Sequence, residues 1–413
     1  MIKGLIGEKL GHSYSKVIHE MINNDIYNLY SFNMTELHDF LTKKEFNFVN
    51  VTIPYKQEVI KYLDVISDSA EKIGAVNLII NKNGKLFGYN TDYYGFKYLL
   101  EENDINPENK NCLILGTGGT SKTVYNVLSD MKAKKIYKVS RKKTENSSYS
   151  VLTYDEIYDY DIDIIVNTTP VGMYPNIIDC SVDVTRFKNI KAVVDCVYNP
   201  ARTKILADAE KDNIKAVNGL LMLVYQAVKA HEIAYECSIS KEVVIKIYKK
   251  LLNDKRNIVL IGMPGCGKST IGKLLAEKTL KEYVDVDEKI VMNAKLSIPD
   301  IFALYGEEYF RNLEMEETEK LSKMFNLVIS TGGGVIKNKA NIDNLKANGT
   351  VFYIKRDLNN IVLDDNRPLS KNIEDLKKLY NERRKLYEDS CDYIIENNDE
   401  ISKTLDKIIE KVE

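Results

Sequence analysis

Hydrophobic positions along this chain gather into short, nearly continuous runs separated by stretches where apolar residues recur at helical spacing. Runs such as 257–262 (NIVLIG) and 162–166 (IDIIV) are strand-sized and largely apolar, the pattern of strands buried on both faces. From residue 2 to about 90, β-rich runs at 3–7, 27–32, 48–52, 76–80 and 86–89 alternate with helix-like stretches and predict a first α/β lobe. The segment 81–85 (NKNGK) reads as a hairpin turn, which makes that sheet mixed. A second lobe opens at 111–115 (NCLIL), passes through 116–121 (GTGGTS) into a helix, and continues with strands at 135–139, 162–166 and 192–196. Strands alternating with helices in this way predict a doubly wound parallel sheet. The apolar helix 219–236 is long enough to pack across two lobes, and a further helix is expected at 241–252. The polar stretch 253–256 (NDKR) then precedes a third α/β unit, with strands at 257–262, 327–330 and 351–354.

Composition narrows the functional classes. At 413 residues the chain exceeds what one hydrophobic core organises, so two or three domains are expected. The 58 Lys and Arg against 60 Asp and Glu leave a net charge of −2, which gives no general attraction to nucleic acid or an anionic membrane. The 6 cysteines are scattered without a C-x-x-C pair, arguing against a disulfide framework or a zinc site. The N-terminus is too briefly apolar for a signal peptide, and a cytoplasmic location is expected.

The sharpest chemical signal is 262–269, GMPGCGKS, which matches G-x-x-x-x-G-K-[ST] between a buried strand and a helix. Glycines 265 and 267 let backbone N–H groups converge on phosphate oxygens, Lys268 reaches the β- and γ-phosphates, and Ser269 suits Mg²⁺. Beyond it, 283–287 (YVDVD) places Asp285 and Asp287 two apart on an expected strand, so both should project from one face near the phosphates. Further motifs follow at 306–314 (GEEYFRNLE), 330–334 (STGGG), 367–369 (RPL) and 383–387 (RRKLY). At these residues the sequence resembles shikimate kinase, over about 257–413. The resemblance implies a P-loop domain of the nucleoside-monophosphate-kinase kind, with Ser269 and Asp285 holding Mg²⁺. It implies ATP contacts from Gly262, Pro264, Gly265, Cys266, Gly267, Lys268, Ser269, Thr270 and the lid arginine Arg367. Asp287 would bind the shikimate hydroxyls and orient the attacking one, Arg311 and Arg383 would hold the carboxylate, and Gly332, Gly333 and Gly334 would bring backbone close to the ring. Planar guanidinium groups suit bidentate carboxylate binding, which agrees with the two arginines. Lys268, Arg367 and Asp287 are the expected catalytic groups, because phosphoryl transfer depends on alignment and positive charge.

In the second lobe, GTGGTS follows a strand and opens a helix, as dinucleotide-binding loops do. The next strand ends in Ser140, Arg141 and Lys142, where an NAD site would carry an acid; basic residues there suit a 2′-phosphate and favour NADP(H). The first lobe carries polar motifs at strand ends: 12–15 (HSYS), 50–56 (NVTIPYK), 74–77 (GAVN) and 90–92 (NTD). With 167–173 (NTTPVGM), 195–200 (DCVYNP) and 219–226 (GLLMLVYQ), the set resembles shikimate dehydrogenase over about 1–252. Lys16 and Ser140 depart from that family's usual proline and asparagine. The resemblance makes Lys56 and Asp92 the catalytic pair and places Ser13, Ser15, Thr52, Asn77, Tyr198 and Gln226 with them around the substrate. It assigns the cofactor to Gly116, Gly118, Gly119, Thr120, Ser121, Ser140, Arg141, Lys142, Asn167, Thr168, Gly219 and Met222.

The expected organisation is a mixed α/β substrate lobe at 1–100 with helices in 219–252 packing back on it, and a Rossmann-like NADP lobe at 101–218. A linker at 253–257 then leads to the kinase-like domain at 258–413. The expected function is reduction of 3-dehydroshikimate to shikimate with NADPH, then phosphorylation to shikimate 3-phosphate with ATP and Mg²⁺. Partners would be these small molecules, with a homodimer admitted. Two alternatives stay open: a quinate/shikimate dehydrogenase working with NAD, against which Arg141 argues, and a P-loop unit that only senses ATP.

Overall fold

Each buried apolar run becomes a strand, and among the described residues the strands assemble into three separate sheets. A computed structural model describes residues 2–10, 14–23, 26–141, 150–361 and 373–412. The expected site residues Ser13, Lys142 and Arg367 lie outside the described residues. The chain divides into two compact units: Met1–Met173 with Asp179–Tyr198 and Thr203–Lys249, and Lys250–Glu413 with Tyr174–Ile178 and Asn199–Arg202.

The first sheet contains β1 (Ile2–Gly7), β2 (Asn28–Ser31), β3 (Phe46–Val51), β4 (Val65–Ile66), β5 (Leu78–Lys82) and β6 (Lys85–Tyr89), in the order β2-β1-β3-β5-β6-β4. It is mixed as expected, with β5 antiparallel to both β3 and β6. Asn83 and Gly84 join β5 to β6 with φ of 53° and 83°, the backbone of an Asn-Gly hairpin turn whose twist matches its strands. The helix Met34–Lys43 starts in a capping box between Asn33 and Glu36 and buries Leu37 and Leu41 against Phe46 and Val49.

The second sheet contains β7 (Asn111–Leu115), β8 (Lys135–Val139), β9 (Val151–Leu152), β10 (Ile164–Asn167), β11 (Ala192–Asp195) and β12 (Lys215–Asn218), ordered β12-β11-β10-β7-β8-β9 with every pairing parallel. The order reverses beside β7, so its carboxyl end is a topological switch point, where such sheets hold ligands. The helix Leu220–Tyr235 contributes Met222 to the core under this sheet and Ala230 to the core of the first sheet. That one apolar helix therefore belongs to both lobes. Strands β4 and β9 are two-residue pairings and β12 is only partly buried, so none of the three leaves a periodic apolar signal.

The second unit is built on β13 (Asn257–Ile261), β14 (Glu282–Asp285), β15 (Leu327–Ser330), β16 (Gly349–Lys355) and β17 (Tyr393–Glu396), all parallel and ordered β14-β15-β13-β16-β17. Two local expectations change. Asp285 and Asp287 do not share a strand: β14 stops at Asp285, whose carboxylate caps the helix Val286–Ala294 by accepting from the N–H of Asp287 and Glu288 at 3.0 and 3.3 Å. An aspartate at a helix start satisfies N–H groups that have no partner inside the helix, and this overrides strand continuation. The expected linker is also mostly helix, because Lys241–Lys255 runs to within one residue of β13. The Lys281 ammonium donates to Asn253 O and Arg256 O at 2.6 and 2.9 Å, which satisfies carbonyls at that helix end. Among the described residues, no helix is long and apolar enough to cross a membrane, and no cluster of three or more His, Cys, Asp or Glu could hold a metal ion.

Gly84 has open space around it, so a methyl group there meets no atom and acts only through the positive φ. Gly84→Ala is expected to destabilise the first lobe by about 1 kcal/mol, read as a lower urea midpoint for unfolding.

Candidate active sites

In the first unit a cavity of about 270 Å³ lies between the two sheets. The first lobe contributes Ser15, Asn50, Thr52, Lys56, Asn77 and Asp92 to its wall. The second lobe and the shared helix contribute Thr120, Cys196, Tyr198, Gly219, Met222 and Gln226. Lys56 arrives on the turn after β3, and Asp92 sits in the first turn of the helix Asp92–Glu102, where a carboxylate complements the helix dipole. Their side chains meet at 2.6 Å between Nζ and Oδ2, with 30% and 20% of their surface still exposed, so the pair is held yet reachable. Behind it, Asn77 Oδ1 accepts from the Thr91 N–H at 2.6 Å and Asn77 Nδ2 donates to Thr91 Oγ1 at 3.0 Å. The Thr91 hydroxyl donates in turn to Gln226 Oε1 at 3.5 Å. Burial raises the Tyr198 phenol, which therefore stays a neutral hydrogen-bonding group.

The dinucleotide loop leaves β7 at Gly116, and the helix Gly119–Asp130 follows. A Cβ at Gly118 or Gly119 would meet no atom within 4 Å, so the backbone at this helix start is open to an approaching pyrophosphate. These residues fit a bound dinucleotide. Thr168 Oγ1 donates to Leu115 O at 2.7 Å and tethers the neighbouring loop to the end of β7. Ser121 is buried in the helix, whereas Thr120 faces the cavity. Ser140 and exposed Arg141 follow β8 at the same edge.

In the second unit the glycine-rich loop leaves β13 and enters the helix Lys268–Thr279. The Lys268 ammonium donates back across the loop to Gly262 O and Met263 O at 2.9 and 3.0 Å, which brings its charge over the cradle. Ser269 Oγ lies 3.2 Å from Asp285 Oδ2, so the two groups expected to share Mg²⁺ converge, and the donor set of hydroxyl and carboxylate oxygen suits that hard ion. Exposed Thr270 follows them, and Cys266 is buried beneath the loop. The long helical run Ile298–Ser322 breaks at Gly306 (φ 84°, ψ 173°), and the segment after the break carries Arg311 and Glu314. Arg311 donates to Glu314 Oε2 at 2.9 Å and to Glu307 Oε1 at 3.1 Å. Burial pushes the Glu314 carboxyl up to about 7 against the lowering effect of that guanidinium. The 330–334 loop fits between these side chains: a Cβ at Gly332 would lie 2.6 Å from Asp287 Oδ1, and one at Gly334 would lie 2.3 Å from Arg311 Nη2. Arg383 Nη1 and Tyr387 OH both donate to Gly333 O, at 2.9 and 2.5 Å. Pro264 packs against Gly333 from the phosphate loop, so the expected ATP and substrate residues share one pocket wall.

Residues 5–79 match the profile of the shikimate dehydrogenase substrate binding domain, and residues 264–413 match that of shikimate kinase. The shikimate dehydrogenase (NADP(+)) of Clostridium beijerinckii is 42% identical over 264 residues, spanning 61% of this chain and 98% of that protein. This chain belongs to the shikimate dehydrogenase family. A solved chorismate mutase/shikimate 5-dehydrogenase fusion protein from Clostridium acetobutylicum is similar with a TM-score of 0.58 and 40% identity, over 60% of this chain and 96% of that one. A shikimate dehydrogenase solved in complex with NADP+ is similar with a TM-score of 0.55 and 32% identity, over 60% of this chain and 95% of that one. The C-terminal residues 264–413 add a shikimate kinase domain to the shikimate dehydrogenase unit.

In both units the structure also shows residues that were not singled out in the sequence. Asn50 is a buried part of the cavity wall that donates to Asn77 O at 3.2 Å and accepts from Tyr27 OH at 2.8 Å. It stands in NVTIPYK, as Glu314 stands in GEEYFRNLE and Tyr387 in RRKLY, so its motif was the available signal. Asn397 carries no such signal, although its Nδ2 donates to Cys266 O at 2.9 Å and pins the phosphate loop. Asn167, expected along the cofactor groove, is buried and hydrogen-bonded within its own loop.

Gly219 begins the shared helix so close to β11 that a Cβ would lie 2.2 Å from Cys196 O, a backbone atom that cannot move alone. Gly219→Ala is expected to lower kcat/KM for shikimate oxidation at least tenfold, measured by steady-state NADP+ reduction.

Proposed function

We propose that this chain is a bifunctional enzyme that reduces 3-dehydroshikimate to shikimate with NADPH and then phosphorylates shikimate on its 3-hydroxyl with ATP and Mg²⁺. The observation that carries the reading is the Lys56–Asp92 pair, 2.6 Å apart in a cavity that Thr120 of the dinucleotide loop also lines. NADPH, when bound, supplies the hydride for the ketone carbon. Lys56 is the general acid: its ammonium binds the ketone oxygen and passes it a proton from Nζ. Asp92 holds the ammonium in place and binds a ring hydroxyl. Ser15, Thr52, Asn77, Tyr198 and Gln226 bind the remaining hydroxyls and the carboxylate. Gly116, Gly118, Gly119, Thr120 and Thr168 shape the dinucleotide groove, Arg141 receives the 2′-phosphate, and Met222 packs beside the nicotinamide.

In the kinase domain, ATP with Mg²⁺ supplies the phosphoryl group. Lys268 balances phosphate charge, Ser269 and Asp285 hold the cation, and Asp287 accepts the hydroxyl proton. Arg311 and Arg383 bind the shikimate carboxylate, with the 332–334 backbone against the ring. The product of the first site is the substrate of the second, which makes the fusion chemically coherent. A cytoplasmic site of action is supported by cysteines that are free throughout.

The test supplies 3-dehydroshikimate, NADPH and ATP-Mg²⁺ together and follows NADPH loss and shikimate 3-phosphate separately. Both signals are expected; ATP binding without any phosphorylated product would leave the second unit a nucleotide sensor. Lys56→Ala should lower reduction roughly 10²–10⁴-fold while shikimate added directly is still phosphorylated. Asp287→Asn should lower phosphorylation at least about 10²-fold with NADPH turnover unchanged, and full kinase activity in that variant would remove its assigned role.

A further inference from the structure

Asp195 ends β11 with its side chain wholly buried, and it is not itself one of the residues lining the cavity. Its Oδ1 accepts from Asn167 Nδ2 and from the Val197 N–H, each at 2.9 Å, and its Oδ2 accepts from Thr203 Oγ1 at 2.6 Å. Burial pushes the carboxyl up to about 6 against these three hydrogen bonds, and Oδ1, which already faces the Val197 N–H, can only accept from the Asn167 amide. The titratable groups that feel its charge are the thiols of Cys196, next along the chain, and Cys180; both are raised, which keeps them neutral.

An acceptor-only partner decides which way the Asn167 amide faces. With Nδ2 turned to Asp195, Oδ1 must face the loop, where it accepts from the Thr169 N–H at 3.0 Å and from Thr169 Oγ1 at 2.7 Å. Thr169 Oγ1 accepts in turn from the Val171 N–H at 3.3 Å. The far side of Thr169 packs under the dinucleotide loop, its Cγ2 lying 2.9 Å from where a Cβ of Gly116 would be. The second branch holds the Val197 N–H, one residue before Tyr198 in the cavity wall. Hydrogen bonds thus run from one carboxylate into the 167–171 loop, which packs against Gly116, and to the residue before Tyr198.

We propose that Asp195 is a positioning residue of the dehydrogenase, which sets the 167–171 loop beneath NADP(H) and the 196–198 turn that presents Tyr198. The inference rests on the reading of this cleft as the NADPH site. A buried carboxylate that only stabilised the fold would alter how much active enzyme survives, and not how tightly that enzyme holds cofactor.

The experiment measures the NADPH dissociation constant by cofactor fluorescence, without substrate, for wild type and variants. Alongside it, steady-state assays of the reductase reaction separate KM from kcat. Asp195→Ala frees the Asn167 amide to turn over; it is expected to weaken NADPH binding at least tenfold, while the turnover rate at saturating cofactor and substrate stays within threefold. Asp195→Asn keeps one oxygen for Asn167 and Val197 and can donate to Thr203 Oγ1, so it should hold the dissociation constant within threefold of wild type. An unchanged NADPH dissociation constant in Asp195→Ala, or an equal loss in Asp195→Asn, overturns the proposal. Should Asp195→Ala fail to fold, Thr169→Val cuts the same chain one link on and is expected to weaken NADPH binding at least threefold; no change there also overturns it. Wild-type enzyme that binds NADPH tightly yet reduces no 3-dehydroshikimate defeats the substrate reading alone, and the binding comparison still decides the role of Asp195.

Discussion

A parallel strand covered on both faces has nowhere to present chemistry except where it ends. Two of the three sheets here are wholly parallel, and nearly every expected site residue in them follows the carboxyl end of a strand. Gly116 follows β7, Asn167 ends β10, Tyr198 follows β11 and Gly219 follows β12. In the second unit, Gly262 follows β13, Asp285 ends β14 and Gly332 follows β15. The mixed first sheet obeys a looser form of the same constraint: Thr52 and Lys56 follow β3, and Asp92 follows β6. The motifs are therefore far apart in sequence and close in space, because neighbouring parallel strands all terminate at the same edge.

Charge is handled locally in both sites. Lys56 meets Asp92, Lys268 lies against its own loop carbonyls, and Arg311 is held between Glu307 and Glu314. Each cation is thus oriented before an anionic or polar ligand arrives, which lowers the cost of ordering it on binding. The near-neutral total charge of −2 is consistent with such small, paired sites and with the absence of any need for a broad basic surface. Glycines complete the arrangement by their lack of bulk. At 332 and 334 a single methyl group would press on the side chains of Asp287 or Arg311.

How much of this was legible in the sequence depended on the kind of signal. Buried parallel strands announce themselves as apolar runs, so β7, β10, β11, β13, β15 and β16 were readable, as was the Asn-Gly hairpin that makes the first sheet mixed. Short edge pairings such as β4 and β9 were not, since two residues carry no period. The pair Asp285 and Asp287 shows the limit of periodicity: alternate positions imply one strand face, yet the carboxylate of the first residue caps a helix and ends the strand. The polar 253–256 segment shows another, because polarity marks an exposed helix end as readily as a linker, and only the Lys281 ammonium at its carbonyls distinguishes the two.

Local chemistry in the sequence alone determined that a phosphate loop follows one buried strand and a dinucleotide loop another, and that lysine, aspartate and arginine stand in motifs suited to proton and phosphoryl transfer. Those are properties of neighbouring residues, and a chain's neighbours are written in its order. Tertiary structure alone decided that Lys56 meets Asp92 across 36 positions, that Asn77 and Gln226 share the hydroxyl of Thr91, and that Asn167 is turned by a carboxylate 28 positions away. Such contacts depend on sheet order, helix packing and burial of acceptors and donors together. None of them is encoded by spacing, because the hydrogen-bonding need of a buried polar group can be met by any partner the fold brings near.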